Sequence, residues 1–89
     1  INEYEVNGVS FDDFNNGKLF DYKENYSKFI DKKTGNFRNW FRGAKDLQRE
    51  ALQQVQAANG TPVVWKVGAS QVQAFKNAVG NVPGLTIIP

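Results

Sequence analysis

Phe11-Asp12-Asp13-Phe14-Asn15-Asn16-Gly17-Lys18-Leu19-Phe20-Asp21-Tyr22-Lys23 holds the decisive pattern of the chain. Asn-Gly between two runs rich in aromatic and aliphatic residues is the signature of a two-residue hairpin turn, because both central positions of that turn need positive φ. Taking Asn16-Gly17 as the turn pairs Asn15 with Lys18 and Phe14 with Leu19. Counting outward, Asp13 faces Phe20 and Asp12 faces Asp21. Like charges directly opposite one another destabilise a sheet. A divalent cation is the economical compensation. Side chains alternate along a strand, so Asp21 and Lys23 share one face with Asp12, and Phe11 and Tyr22 are expected as an aromatic pair on the other. A turn one residue longer would put Asp13 in the place of Asp12.

A second such signal, Asn7-Gly8, lies upstream between Tyr4-Glu5-Val6 and Val9-Ser10-Phe11. Residues 3–23 therefore read as a three-stranded meander. Residues 24–43 mix Tyr26, Phe29, Ile30, Phe37, Trp40 and Phe41 with basic residues and are interrupted at Thr34-Gly35-Asn36. They read as a loop with a short helical turn near 37–41, in which Phe37, Trp40 and Phe41 join the core. Residues 44–59 read as a helix rich in Ala, Leu, Gln and Glu, with an apolar stripe of Leu47, Ala51, Val55 and Ala58 and with Gly60 as its terminator. A strand is expected over 62–67, a shorter helix capped by Ser70 with Val72, Phe75 and Val79 on one face, and a last strand over 85–88. The order β-β-β-α-β-α-β is that of an α/β fold with a mixed sheet flanked by helices.

At 89 residues the chain is one domain. Apolar residues at 40% and charged residues at 22% make an ordinary globular balance. No apolar run approaches the roughly 18 residues of a membrane span. The sequence contains no cysteine and no histidine. That excludes disulfides, thiolate and imidazole metal sites, and catalysis by Ser-His-Asp or Cys-His groups. Chemistry must then run on carboxylates, lysine, tyrosine, amides or an oxygen-bound metal, and oxygen ligands select hard cations such as Mg²⁺ or Mn²⁺.

The net charge of +2 conceals a division. Glu3, Glu5, Asp12, Asp13 and Asp21 come early; Lys23, Lys28, Lys32, Lys33, Arg38, Arg42, Lys45 and Arg49 follow in one stretch; no acidic side chain lies beyond Glu50. A carboxylate cluster beside a basic region suits a metal site facing a polyanion. Lys28, Lys32, Lys33, Arg38 and Arg42 are candidates for phosphate contacts, with Tyr26 or Trp40 near a base or sugar. Gln54 stands four and three residues from Ala58 and Ala51, so it borders the apolar stripe and points toward the sheet. There an amide can position water beside an acidic metal site. If the facing aspartates only repel, replacing Asp21 leaves the metal-free fold as stable as before, or slightly more so, within about 1 kcal/mol.

Asp12, then Asp21-Tyr22-Lys23, then a helix bearing Gln54, resembles the PD-(D/E)XK restriction-endonuclease-like superfamily. More narrowly, Val6-Asn7-Gly8-Val9-Ser10-Phe11-Asp12, Leu19-Phe20-Asp21-Tyr22-Lys23, Gln54-Val55-Gln56-Ala57-Ala58 and Gly60-Thr61-Pro62-Val63-Val64-Trp65 resemble restriction-endonuclease-fold toxin domains. Domains of that kind form the C-terminal part of bacterial polymorphic toxins, including Rhs and type VI secretion effectors. The resemblance implies that Asp12 and Asp21 bind Mg²⁺ or Mn²⁺, with the backbone carbonyl of Tyr22. It implies that Lys23 orients or activates the attacking water and stabilises charge on the phosphate, and that Gln54 supports this geometry. It further implies a secreted DNase acting in the cytoplasm of a target bacterium. DNA, a delivery machinery and a cognate immunity protein, acidic where it meets the domain, would be its partners. An RNase, or a non-catalytic binding module on the same fold, is the alternative.

Overall fold

A computed structural model describes residues 3–89. Two hairpins open it. β1 (Tyr4–Val6) pairs antiparallel with β2 (Val9–Phe11) as a separate two-stranded sheet. β3 (Asp13–Asn15) pairs antiparallel with β4 (Lys18–Tyr22). Both turns have positive φ at their two central residues, 50° and 84° at Asn7-Gly8 and 52° and 76° at Asn16-Gly17. This is the type I′ geometry that the right-handed strand twist favours.

The expected single meander is thus divided, and the break falls at Asp12, a bend between β2 and β3. Phe11 enters the core at 1% exposure, packed in one cluster with Leu19, while Phe14 beyond the bend stays exposed. Phe11 therefore does not pair with Tyr22, which is exposed and lies beside Phe20 with ring centroids 6.2 Å apart.

After β4 the chain makes a 3₁₀ turn at Ser27–Phe29 and an isolated bridge between Ile30 and Phe37. The helical turn lies there, earlier than expected. The arm between Ile30 and Phe37 carries Lys32 and Lys33 on its tip. α1 (Gly43–Ala58) and α2 (Val72–Val79) then alternate with β5 (Val63–Lys66) and β6 (Leu85–Ile88). β4, β5 and β6 are parallel, which gives one mixed four-stranded sheet in the order β3-β4-β5-β6. The fold is the α/β class expected, with mixed sheet and two helices.

α1 ends on Asn59, which takes the left-handed conformation at φ 48° and donates back to Val55 and Gln56 carbonyls. Asparagine tolerates that conformation, so the terminator falls one residue before Gly60. Ser70 makes no capping hydrogen bond; it lies in a 3₁₀ turn at Ala69–Gln71 that leads into α2. The core joins Leu47, Ala51 and Ala58 of α1, Phe75 and Val79 of α2, and Leu19, Val63, Trp65 and Ile87 of the sheet. The Asn7 amide donates to the Ala57 carbonyl at 2.7 Å, which pins the first hairpin to the end of α1 and satisfies an acceptor the helix cannot. Among the described residues no helix is long and apolar enough to cross a membrane.

Candidate active site

The register over Asn16-Gly17 is the one the turn dictates: Asn15 opposite Lys18, Phe14 opposite Leu19, Asp13 opposite Phe20. The Asp12 N–H donates at 2.9 Å to the carbonyl of Phe20, the residue that Asp13 already faces, so Asp12 and Asp13 together oppose Phe20 as in a β-bulge. The carboxyl of Asp12, and not that of Asp13, lies toward Asp21. Asp13 instead accepts from the Tyr22 hydroxyl at 3.1 Å and from its neighbour Phe14 N–H. Asp12 Oδ2 accepts from the Tyr22 N–H at 2.7 Å. The N–H and C=O of one strand residue point to the same edge, so the Tyr22 carbonyl also faces the side of Asp12.

Parallel pairing brings Trp65 directly beside Asp21, and α1 lies over both. Gln54, 3% exposed, bridges them. Its Oε1 accepts from the Trp65 indole at 2.7 Å, which forces its Nε2 toward Asp21 Oδ2, also at 2.7 Å. An indole nitrogen only donates, so the amide cannot be reversed without losing both bonds. Each end of Gln54 thereby bonds a protein group, and through its Nε2 it orients Asp21.

Lys23 shares the face of Asp21, as alternation requires. Its Nζ is 2.9 Å from Asp21 Oδ2 and 4.1 Å from the centroid of the buried Trp65 ring. It also forms an ion pair with Glu50 of α1. Glu50 and Trp65 are the two neighbours that reading the sequence missed. Glu50 carried a signal, since it precedes Gln54 by one helical turn. Trp65 becomes Asp21's neighbour only through the pairing of β4 with β5, which local sequence does not encode.

The electrostatics follow from these contacts. Burial opposes the charge on Asp21, but hydrogen bonds from Gln54 and Lys23, with Lys23's positive charge, hold its carboxyl below the usual range. Partial burial and the neighbouring Asp21 push Asp12 up, against the Tyr22 N–H that favours its anion. Burial likewise disfavours the Lys23 ammonium, yet Glu50 and Asp21 raise it above an ordinary lysine. Lys23 is a fixed cation here.

These contacts overturn the expectation that Asp21 can be removed at no cost. Lys23 and Gln54 compensate its charge. Truncating it to alanine strips the buried Gln54 amide of a partner, at about 1–3 kcal/mol.

The residues fit a hard divalent cation. Both donors to Asp21 take Oδ2, which leaves Oδ1 without them. Asp12 and the Tyr22 carbonyl add oxygen donors on the same side, so the set is all oxygen. Among the described residues no group of three or more Asp, Glu, His or Cys side chains is gathered for a metal. A cation here would rely on the two carboxylates and on backbone oxygen. The position, at the C-terminal ends of β4 and β5, is where parallel α/β sheets place their sites.

Of the basic candidates, Lys28, Lys32, Lys33 and Arg42 are exposed and Arg38 is half-buried. Among the described residues none of the five forms an ion pair with a carboxylate. Trp40 is not core: it is 64% exposed, edge-on to Phe29, which stacks on Phe41 at 4.3 Å. Phe37 and Phe41 are half-buried, and Tyr26 packs among them and Phe75. Tyr26, Phe41 and Glu50 share the wall of one hollow of about 310 Å³, so the aromatic arm adjoins the site.

Residues 1–69 match the model of a family described as restriction endonuclease fold toxin 5. The matched span takes in Asp12, Asp21, Lys23, Glu50, Gln54 and Trp65. No curated protein and no solved structure matches the chain.

Proposed function

The chain belongs to the restriction endonuclease fold toxin 5 family, and from that premise we propose that it is a Mg²⁺- or Mn²⁺-dependent endodeoxyribonuclease acting as an antibacterial toxin. The observation that carries this reading is the convergence of Asp12, Asp21 and Lys23 at the end of β4, with Gln54 fixing the orientation of Asp21.

In this reading Asp12, Asp21 and the Tyr22 carbonyl hold the cation, which supplies Lewis-acid charge at the scissile phosphate. Lys23 keeps its proton and presents its ammonium to the phosphate oxygens as negative charge builds there. Gln54 keeps Asp21 Oδ2 turned inward. The unpaired bases Lys28, Lys32, Lys33, Arg38 and Arg42 track the phosphate backbone beside the site. Trp40, exposed between Arg38 and Arg42 in the sequence, offers a ring on which a base can stack.

The same reading makes the domain the C-terminal part of a larger secreted protein, carried by Rhs or type VI secretion machinery into the cytoplasm of a rival cell. Its producer is protected by an immunity protein. A partner covering the basic arm is acidic at that face, and complementary charge speeds its capture.

Substrate class is tested by incubating the purified domain with supercoiled plasmid and, separately, with RNA of similar length, both with Mg²⁺. Plasmid is expected to be nicked and then linearised while RNA survives. Degraded RNA with intact plasmid would make the protein a ribonuclease. Binding of DNA with cleavage of neither would make it a binding module.

The arm gives a separate expectation. Reversing charge at Lys32 and Lys33 together should weaken DNA affinity and flatten its dependence on salt. Every phosphate that the arm no longer neutralises reduces the slope of log affinity against log salt by about 0.9. An unchanged slope in a salt titration would mark both as ordinary surface lysines.

A further inference from the structure

We infer that Glu50 is a positioning residue of this site: it holds the Lys23 ammonium between two carboxylates, so that Asp21 keeps negative charge for the cation. The inference rests on the nuclease reading above and deepens it.

A half-exposed glutamate paired with a lysine is ordinarily a surface ion pair of small effect. Three observations set this one apart. First, the partner is not on the surface: the Lys23 side chain is 8% exposed, against 44% for Glu50. Its ammonium lies over the ring of Trp65, which is fully buried. A lysine so placed has few conformations left, and those it has are set by what it bonds.

Second, the spacing is built for this contact. α1 joins two parallel neighbours, β4 and β5, and so runs back along the sheet. Four residues of helix rise about 6 Å. Two residues of strand rise about 6.6 Å. Gln54 and Glu50 on the helix therefore stand over Asp21 and Lys23 on the strand, and each of the two pairs is in contact.

Third, the charges balance only with Glu50 present. Without it, Lys23 and Asp21 form a one-to-one ion pair, and a cation approaching Asp21 meets a neutralised carboxylate beside a competing ammonium. With it, the three carboxylates Asp12, Asp21 and Glu50 against one ammonium leave the site doubly negative when all are ionised, which suits a divalent ion. Glu50 also limits the swing of a flexible lysine stem, so Nζ stays where a phosphate oxygen can meet it.

The test compares Glu50→Gln and Glu50→Asp with wild type. Three readouts are taken: the ¹⁵N–¹H signal of the Lys23 ammonium in metal-free protein, Mn²⁺ affinity by calorimetry, and single-turnover kinetics on plasmid DNA. Thermal melts check folding. Glu50→Gln is expected to fold, to broaden or shift the Lys23 signal, and to lose metal affinity and cleavage rate by about 10- to 100-fold each. KM for DNA should stay near wild type, since Glu50 contacts no substrate. Glu50→Asp, which keeps the charge on a shorter stem, should recover part of both losses. A folded Glu50→Gln with wild-type signal, metal affinity and rate overturns the inference. Should Glu50→Gln fail to fold, Glu50→Asp decides: intermediate losses uphold the role, and wild-type values in all three readouts overturn it. If wild type cleaves no nucleic acid, the nuclease reading fails by itself, and the Lys23 signal with the Mn²⁺ titration still decides the role of Glu50.

Discussion

Asp21→Asn is expected to fold and to lose DNA cleavage by on the order of 10³-fold or more, since the Lewis-acid charge of a placed cation is worth several kcal/mol in the transition state. Asparagine keeps an acceptor oxygen that the Gln54 amide and Lys23 can still use. Lys23 retains its second carboxylate in Glu50. The fold therefore loses about 1 kcal/mol at most, the net worth of a weakened hydrogen bond. The negative charge is gone, however, and with it the strongest donor to the cation. Asp21→Ala should lose as much activity and in addition melt lower, because it leaves the buried Gln54 amide unpartnered. Thermal melts paired with plasmid nicking separate the two effects. Asp21→Asn cutting at the wild-type rate would place the chemistry elsewhere.

Lys23→Met separates the lysine's role from metal binding. Methionine fits an apolar slot against the Trp65 ring and removes only the charge. Cleavage should fall by about 10²- to 10³-fold, the usual cost of removing one preorganised partner of developing charge. Metal affinity should rise, because Asp12, Asp21 and Glu50 then face one another without a cation of their own. In the absence of metal that repulsion lowers the melting temperature. Added Mg²⁺ should raise it by more than in wild type, since binding to the native state alone stabilises it. Weaker Mg²⁺ binding in Lys23→Met would show that the ammonium helps hold the ion instead of opposing it.

Asn16-Gly17 made the central part of this site legible. A two-residue turn leaves no freedom of register, so Asp12, Asp21 and Lys23 could be brought together by counting. The apolar stripe of α1 likewise turned Gln54 inward. Gln54's partners were not legible, because they depend on which strand lies beside β4, and the parallel neighbour β5 comes some forty residues later in the chain. Glu50 was overlooked for a related reason. As a glutamate on a helix rich in charge, it gains meaning only when the helix direction is set against β4. The break at Asp12 left no trace in the pattern, since a continuous alternating strand would also bury Phe11 and expose Phe14. Trp40 left none either. Residues 24–42 follow neither helical nor strand periodicity, so hydrophobicity alone placed it in the core, whereas it stands in solvent beside unpaired bases.

Substrate, partner and delivery all depend on whether the paired aspartates place a divalent cation against a phosphodiester. The direct measurement is cleavage of supercoiled plasmid by the purified domain across a Mg²⁺ titration, with excess EDTA as the zero point and Asp21→Asn alongside. Cleavage should be nil in EDTA, rise to saturation with Mg²⁺, return with Mn²⁺, and stay near background in Asp21→Asn at every concentration. Full cleavage by wild type in EDTA, or equal cleavage by Asp21→Asn, would contradict it.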